Sequence, residues 1–221
     1  MKDNFQDFFS DSIIKFESMI KSNKFLFFDT DEFESIIIYY LESGNSSMAS
    51  KAIKMAVEQY PNNTSILLLK VEALIFENKI EEAEKIINSL YELDRNNSEI
   101  IIQKSRILSK RKKHSKSINL LKKINKDCEF YSDALIMIGK EYLFIDDFEN
   151  AKEKFKKYIK DYQLDYAVLN NLLYCFDALG NTDDTINYLN DFLEENPYCE
   201  VAWHQLGKQY LKKELFKEAL T

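Results

Sequence analysis

The chain reads as a succession of short amphipathic segments. Their apolar positions recur at i, i+3, i+4 and i+7, the spacing that gathers side chains on one face of an α-helix. Leu135, Ile138, Gly139 and Tyr142 form one such stripe, and Phe148, Ala151, Phe155 and Tyr158 form the next. Polar turns such as Asp94-Arg95-Asn96-Asn97 separate the segments. The pattern itself repeats: from Thr30 onward a period of 34 residues fits without insertion or deletion.

The columns of this repeat have distinct physical characters. Ala49, Ala83, Ser117, Ala151, Thr185 and Ala219 are all small. Phe33, Leu67, Ile101, Leu135, Leu169 and Trp203 are all large and apolar. Tyr40, Leu74, Leu108, Tyr142, Phe176 and Tyr210 are aromatic or Leu, and Ile53, Ile87, Leu121, Phe155 and Leu189 are again large. A small column predicts a place where two helices approach closely, because a bulky side chain there would force them apart. Pro61 and Pro197 stand where helices must stop.

These columns resemble the tetratricopeptide repeat family. The best single match is Trp203-His-Gln-Leu206-Gly207-Lys-Gln-Tyr210 followed by Phe216 and Ala219, and the unit with Leu135, Ile138, Gly139, Tyr142, Phe148, Ala151 and Phe155 is nearly as good. The third unit matches least well. Lys104, Ser105, His114 and Ser117 stand where the family prefers an apolar residue, glycine, an aromatic and alanine. The resemblance implies an all-α fold, a right-handed α-solenoid superhelix of stacked antiparallel helix pairs. It predicts a solenoid over 30–221, with units 30–63, 64–97, 98–131, 132–165 and 166–199 and a truncated unit 200–221.

Residues 1–29 fall outside the columns. Ile13, Phe16, Met19 and Ile20 still make an apolar helical stripe, followed by Phe25-Leu-Phe-Phe28. The expectation is a helical cap on the first unit, the alternative a helix lying in the ligand groove. At the other end Phe216, Ala219 and Leu220 are apolar residues newly committed to a core, where a solenoid should finish in a polar cap. That predicts a fragment of a longer protein, or an open end covered by a partner or by self-association.

Composition agrees with helices. Of 221 residues only 4 are Gly and 2 are Pro, too few breakers for an all-β chain or for Gly-rich βα loops. The net charge of −7 is not that of a general nucleic-acid binder. The start, MKDNFQDFFSDS, lacks the features of a signal peptide, and apolar runs such as Ile36–Leu41 are too short for a bilayer. The expectation is a cytoplasmic protein that binds neither membrane nor nucleic acid.

Function must come from a surface. By the resemblance, first helices line a concave groove. Its columns read Ile38, Glu72, Arg106, Lys140, Tyr174, Lys208 and Glu42, Phe76, Lys110, Phe144, Ala178, Lys212, with Gln103, Met137, Asn171 and Gln205 alongside and Asn170 and His204 beside those. The early part is apolar, from Ile38, Leu68, Leu69, Ile75 and Phe76. The later part carries cations, amides and an aromatic: Arg106, Lys140, Asn170, Asn171, Tyr174, His204 and Lys208. Such a set can grip an extended acidic peptide or a carboxylate. Glu34, Ile38 and Leu69 occupy the places where some relatives hold the acidic tails of chaperones, so that ligand is not expected. Ordinary solvated surface is the competing reading.

The run Lys104–Lys126 holds ten Lys or Arg and no acid. Without an interleaved Phe, Tyr or Trp it does not predict base stacking, and solvated turn lysines or an acidic protein partner fit it better. Catalytic motifs are missing: no GxGxxG, GxxxxGK[ST] or HExxH occurs. Cys128, Cys175 and Cys199 and two histidines make no metal set. The sequence therefore predicts a non-enzymatic scaffold that needs no cofactor or metal and binds a peptide or partner domain in its groove. The alternative is the regulatory or targeting region of a larger enzyme or of an envelope or secretion assembly.

Overall fold

The computed structural model describes residues 2–22, 26–216 and 218–220, with side chains from residue 11 onward. Phe25, Thr221 and the side chain of Leu220 lie outside the described residues. Everything regular in the described residues is helical: α1 Lys2–Ser22, α2 Thr30–Glu42, α3 Ser46–Gln59, α4 Thr64–Phe76, α5 Ile80–Leu93, α6 Ser98–Lys110, α7 His114–Leu121, α8 Tyr131–Leu143, α9 Phe148–Asp161, α10 Tyr166–Leu179, α11 Thr182–Glu195 and α12 Glu200–Lys212, then a short 3₁₀ turn at Glu218–Leu220.

Side-chain caps start most of these helices. Asn45, Asn63, Asn97, Asp147, Asp165 and Asn181 each accept a hydrogen bond from a backbone N–H in the first turn. Asp29 goes further: it accepts from the Glu32 amide at 2.8 Å while its own amide donates to the Glu32 carboxylate at 2.9 Å. Such reciprocal capping satisfies two of the donors a helix start leaves free.

The turns that end the first helix of each pair share one backbone device. Gly44, Asn78, Lys112, Asp146, Gly180 and Glu214 all have positive φ, between 57° and 71°. They stand 34 residues apart, so the repeat is written in the backbone as well as in the core. In five of these turns the following amide reaches back across the helix end, as from Asn45 to the Tyr40 carbonyl at 2.9 Å and from Asp147 to that of Tyr142 at 3.0 Å. This is the Schellman closure that ties off orphan carbonyls. Only two of the six residues are glycine, so four left-handed positions carry a side chain.

The chain divides into two compact units, Met1–Lys113 and His114–Thr221. In the first, Phe16 and Met19 of α1 enter a core with Phe28, Phe33, Ile36, Ile37 and Tyr40. Phe16 meets Phe28 edge-on at 5.9 Å, and Lys15 pairs with Glu32 at 2.7 Å, so α1 is bound to α2 by packing and by charge. A second cluster joins α4, α5 and α6 through Leu68, Val71, Ile87 and Ile107. In the second unit Leu169, Leu173, Leu189, Phe192 and Leu206 knit α10, α11 and α12. Ala49, Ala83, Ser117, Ala151 and Thr185 are all buried, as their small size requires.

Two departures from the sequence reading have local causes. Helix α7 has only 8 residues where the other second helices have 14. Beyond Leu121 its hydrogen bonds tighten to a three-residue spacing, from Lys123 to Leu120 and from Ile124 to Leu121, and the helix runs out. His114 takes the aromatic position by stacking on Phe144 at 5.1 Å, while its Nδ1 lies 2.7 Å from the carboxylate of Glu141, itself only 3% exposed. Trp203 and Phe216, expected in the packed columns, are 48% and 61% exposed. The Trp203 indole N–H donates to the Pro197 carbonyl at 2.8 Å, and its ring shares a cleft with Glu218 and Ala219 of the 3₁₀ turn.

Candidate peptide-binding face

In the first unit, the first helices α2, α4 and α6 carry the early groove columns. Ile38, Leu41, Leu69 and Phe76 line a cleft of about 250 Å³ edged by Glu42 and Glu72. Leu68 does not belong to it: at 1% exposed it points into the core of α4, α5 and α6. Gln103 is likewise buried rather than displayed. Both corrections follow from helix geometry, since a neighbour one residue along is turned by about 100°. Arg106 is exposed, but its guanidinium donates to Glu72 at 3.0 Å, the residue one period earlier in its own column.

In the second unit, α8, α10 and α12 each present one member of the same column. Lys140, Tyr174 and Lys208 are exposed, as are Asn170 and His204, with Asn171 half-buried. Helices in contact lie about 9 Å apart, which sets the spacing of such a row. The Tyr174 ring is 57% exposed and braced edge-on by Phe148 at 5.9 Å. Lys140 and Lys208 have no ion pair among the described residues. Two unneutralised cations thus flank a supported phenol on one face.

Gln205, expected on this face, is buried and spent on structure. Its amide donates to Asp177 at 3.0 Å, as do Gln209 at 3.0 Å and Lys212 at 2.9 Å. Burial pushes the Asp177 carboxyl up, but the bonds from Lys212, Gln209 and Gln205 together outweigh it and hold the group below its ordinary value. Asp177, itself exposed and one turn along α10 from Tyr174, therefore tethers α10 to α12 beside the row. Sequence reasoning missed it because its partners lie 28, 32 and 35 residues away, off the repeat period.

The basic run is partly consumed in packing. Lys104 donates to Asn88 at 2.7 Å and lies over the Tyr91 ring at 4.1 Å, with burial pushing its amine down. Arg111 pairs with Glu81 at 3.0 Å and Glu84 at 3.1 Å, and Lys122 donates to the Tyr142 hydroxyl at 3.0 Å. Burial pushes the Cys175 thiol up to about 11, which removes thiolate character. No group of metal-binding side chains occurs among the described residues, and no helix there is long and apolar enough to cross a membrane.

Comparison with known proteins supplies the class. The family profile of the tetratricopeptide repeat matches residues 132–160. The fold is similar to that of Pseudomonas aeruginosa pilF, at 16% identity and TM-score 0.67, with 86% of each chain covered. It is also similar to a tetratricopeptide repeat protein from Parabacteroides merdae, at 16% identity and TM-score 0.58 over 86% of this chain and 75% of that one. A third similar structure is YrrB, a tetratricopeptide repeat protein with an unusual peptide-binding site, at 16% identity and TM-score 0.55 over 76% of this chain and 87% of that one. No curated protein sequence matches the chain significantly. The protein has the all-α tetratricopeptide-repeat fold of antiparallel helix pairs.

Proposed function

We propose that this chain is a scaffold that grips an extended acidic peptide on the first-helix face of its second unit. The observation that carries this reading is the row Lys140, Tyr174, Lys208: exposed, one per successive first helix, with neither ammonium group in an ion pair among the described residues. A peptide laid across the three helices would meet a cation, an aromatic plate and a second cation in turn. Asn170, Asn171 and His204 offer hydrogen bonds to its backbone, the adaptable contacts that extended ligands need. Arg106 stands in the first unit, where Glu72 already neutralises it. The peptide-binding YrrB is a precedent for the fold.

The test is fluorescence anisotropy with labelled Glu/Asp-rich decapeptides and their Lys-rich counterparts as controls. Acidic probes should bind, and binding should weaken with salt because the contacts are exposed. The double variant Lys140→Glu/Lys208→Glu should abolish it, and Tyr174→Ala should weaken it about tenfold, the loss of one supported aromatic contact. Binding that ignores the double charge reversal would sink the proposal.

A further inference from the structure

The opposite side of the second unit carries a feature the peptide-binding reading does not use. Between α9 and α11 runs a cleft of about 670 Å³, floored by Ile159, Leu164, Tyr188 and Phe192. Its walls differ in sign. Lys156 and Lys160 stand on the α9 side, Asp191 and Glu195 on the α11 side. The helices behind them share the bias: α9 has five lysines against three acids, and α11 has five acids and no Lys or Arg. None of the four lining charges has an ion pair among the described residues. The Lys156 ammonium instead lies over the Tyr188 ring at 4.9 Å.

We infer that this cleft is the contact surface for a second copy of the same chain, paired about a twofold axis that runs along the cleft. The repeat supplies the geometry. Helices α9 and α11 are each joined to α10 by a short turn, so both run antiparallel to it and parallel to one another. Lys156 and Lys160 precede Asn190 and Glu194 by one 34-residue period, which puts Asp191 and Glu195 within one residue of their heights. A twofold axis along the cleft keeps heights and exchanges walls. The lysine wall of each copy then faces the acidic wall of the other, and the two apolar floors are enclosed between them. A single isologous contact satisfies four charges per copy that have no ion pair among the described residues. An axis across the cleft would instead set lysine against lysine, so the charges select one arrangement out of two.

The experiment uses the full chain in sedimentation velocity over a concentration series. The wild type should show a monomer–dimer equilibrium that shifts toward monomer in high salt. Lys160→Glu alone and Glu195→Lys alone, both at exposed positions, should each weaken dimerisation about tenfold or more, because each brings like charges together twice per dimer. The decisive arms restore it. Lys160→Glu/Glu195→Lys in one chain should dimerise as the wild type does, and so should an equimolar mixture of the two single variants. Far-ultraviolet circular dichroism identical to wild type excludes unfolding as the cause. A wild-type monomer at all concentrations, a dimer indifferent to the single reversals, or no recovery in the swapped chain and the mixture each overturns the inference.

Discussion

Replacing Gly139 by alanine offers the sharpest test of the packing account. An added Cβ would stand 2.5 Å from Cε1 and 2.6 Å from Cζ of Phe155. Carbon atoms prefer about 3.5–4.0 Å, so the overlap is about 1 Å. The ring cannot step aside, because Phe155 is fully buried between its neighbours. Overpacking of this kind costs about 1–3 kcal/mol. Against it stands the helix preference for alanine over glycine, about 1 kcal/mol in the other direction. The clash should win, leaving a net loss of up to about 2 kcal/mol, or up to about 8 °C in Tm for a chain of this size. Urea denaturation of four proteins completes the argument: wild type, Gly139→Ala, Phe155→Leu and the double variant. Phe155→Leu alone should cost about 1–3 kcal/mol by leaving a void. In its presence the alanine has room, so its effect should turn neutral or favourable, with a coupling of about 2 kcal/mol between the sites. Equal effects of Gly139→Ala in both backgrounds would refute the reasoning.

Three further expectations follow from other contacts. Lys112→Gly and Asp146→Gly should each stabilise the chain by about 1 kcal/mol in urea titrations, because each removes a side chain from a left-handed turn, whereas Lys110→Gly inside α6 should destabilise it. His114→Ala strands the buried Glu141 carboxylate and should cost about 2–4 kcal/mol, while Glu141→Gln, which keeps a hydrogen-bonding group beside the imidazole, should cost less on the same assay. The folded-state carboxyl of Asp177 lies below its ordinary 3.8, so its contribution is complete above that value and disappears as pH falls through the lower folded one. Asp177→Asn should therefore lose less stability than the wild type between about pH 5 and pH 2, and an identical acid profile would remove Asp177 from the account.

The parts of this structure written in side-chain size were legible from the sequence. Columns such as Ala83, Ala151 and Thr185, or Ile53, Leu121 and Leu189, are buried because they recur at helical spacing and must face a neighbour. What escaped was written in backbone shape or in off-period pairing. Gly44, Asn78, Lys112, Asp146, Gly180 and Glu214 share a conformation but not a chemistry, and no residue rule gathers Lys and Glu with Gly. The short α7 escaped too, since Leu120, Leu121 and Ile124 continue the apolar pattern past the point where the helix tightens and ends. On the candidate face the sequence placed Lys140, Tyr174 and Lys208 at exposed positions. It misjudged Leu68, Gln103 and Gln205, because one step along a helix separates display from burial.

The left-handed joints have a consequence for how such a chain can change length. Each first helix leaves through the same bend, at positions 34 residues apart. Cutting the chain at one joint and rejoining it at another returns a turn that already folds. Whole blocks can then be gained or lost by recombination with no new corner to invent, and only the stretch between joints must find a partner. The 34-residue block is in that sense a unit of inheritance as well as of packing.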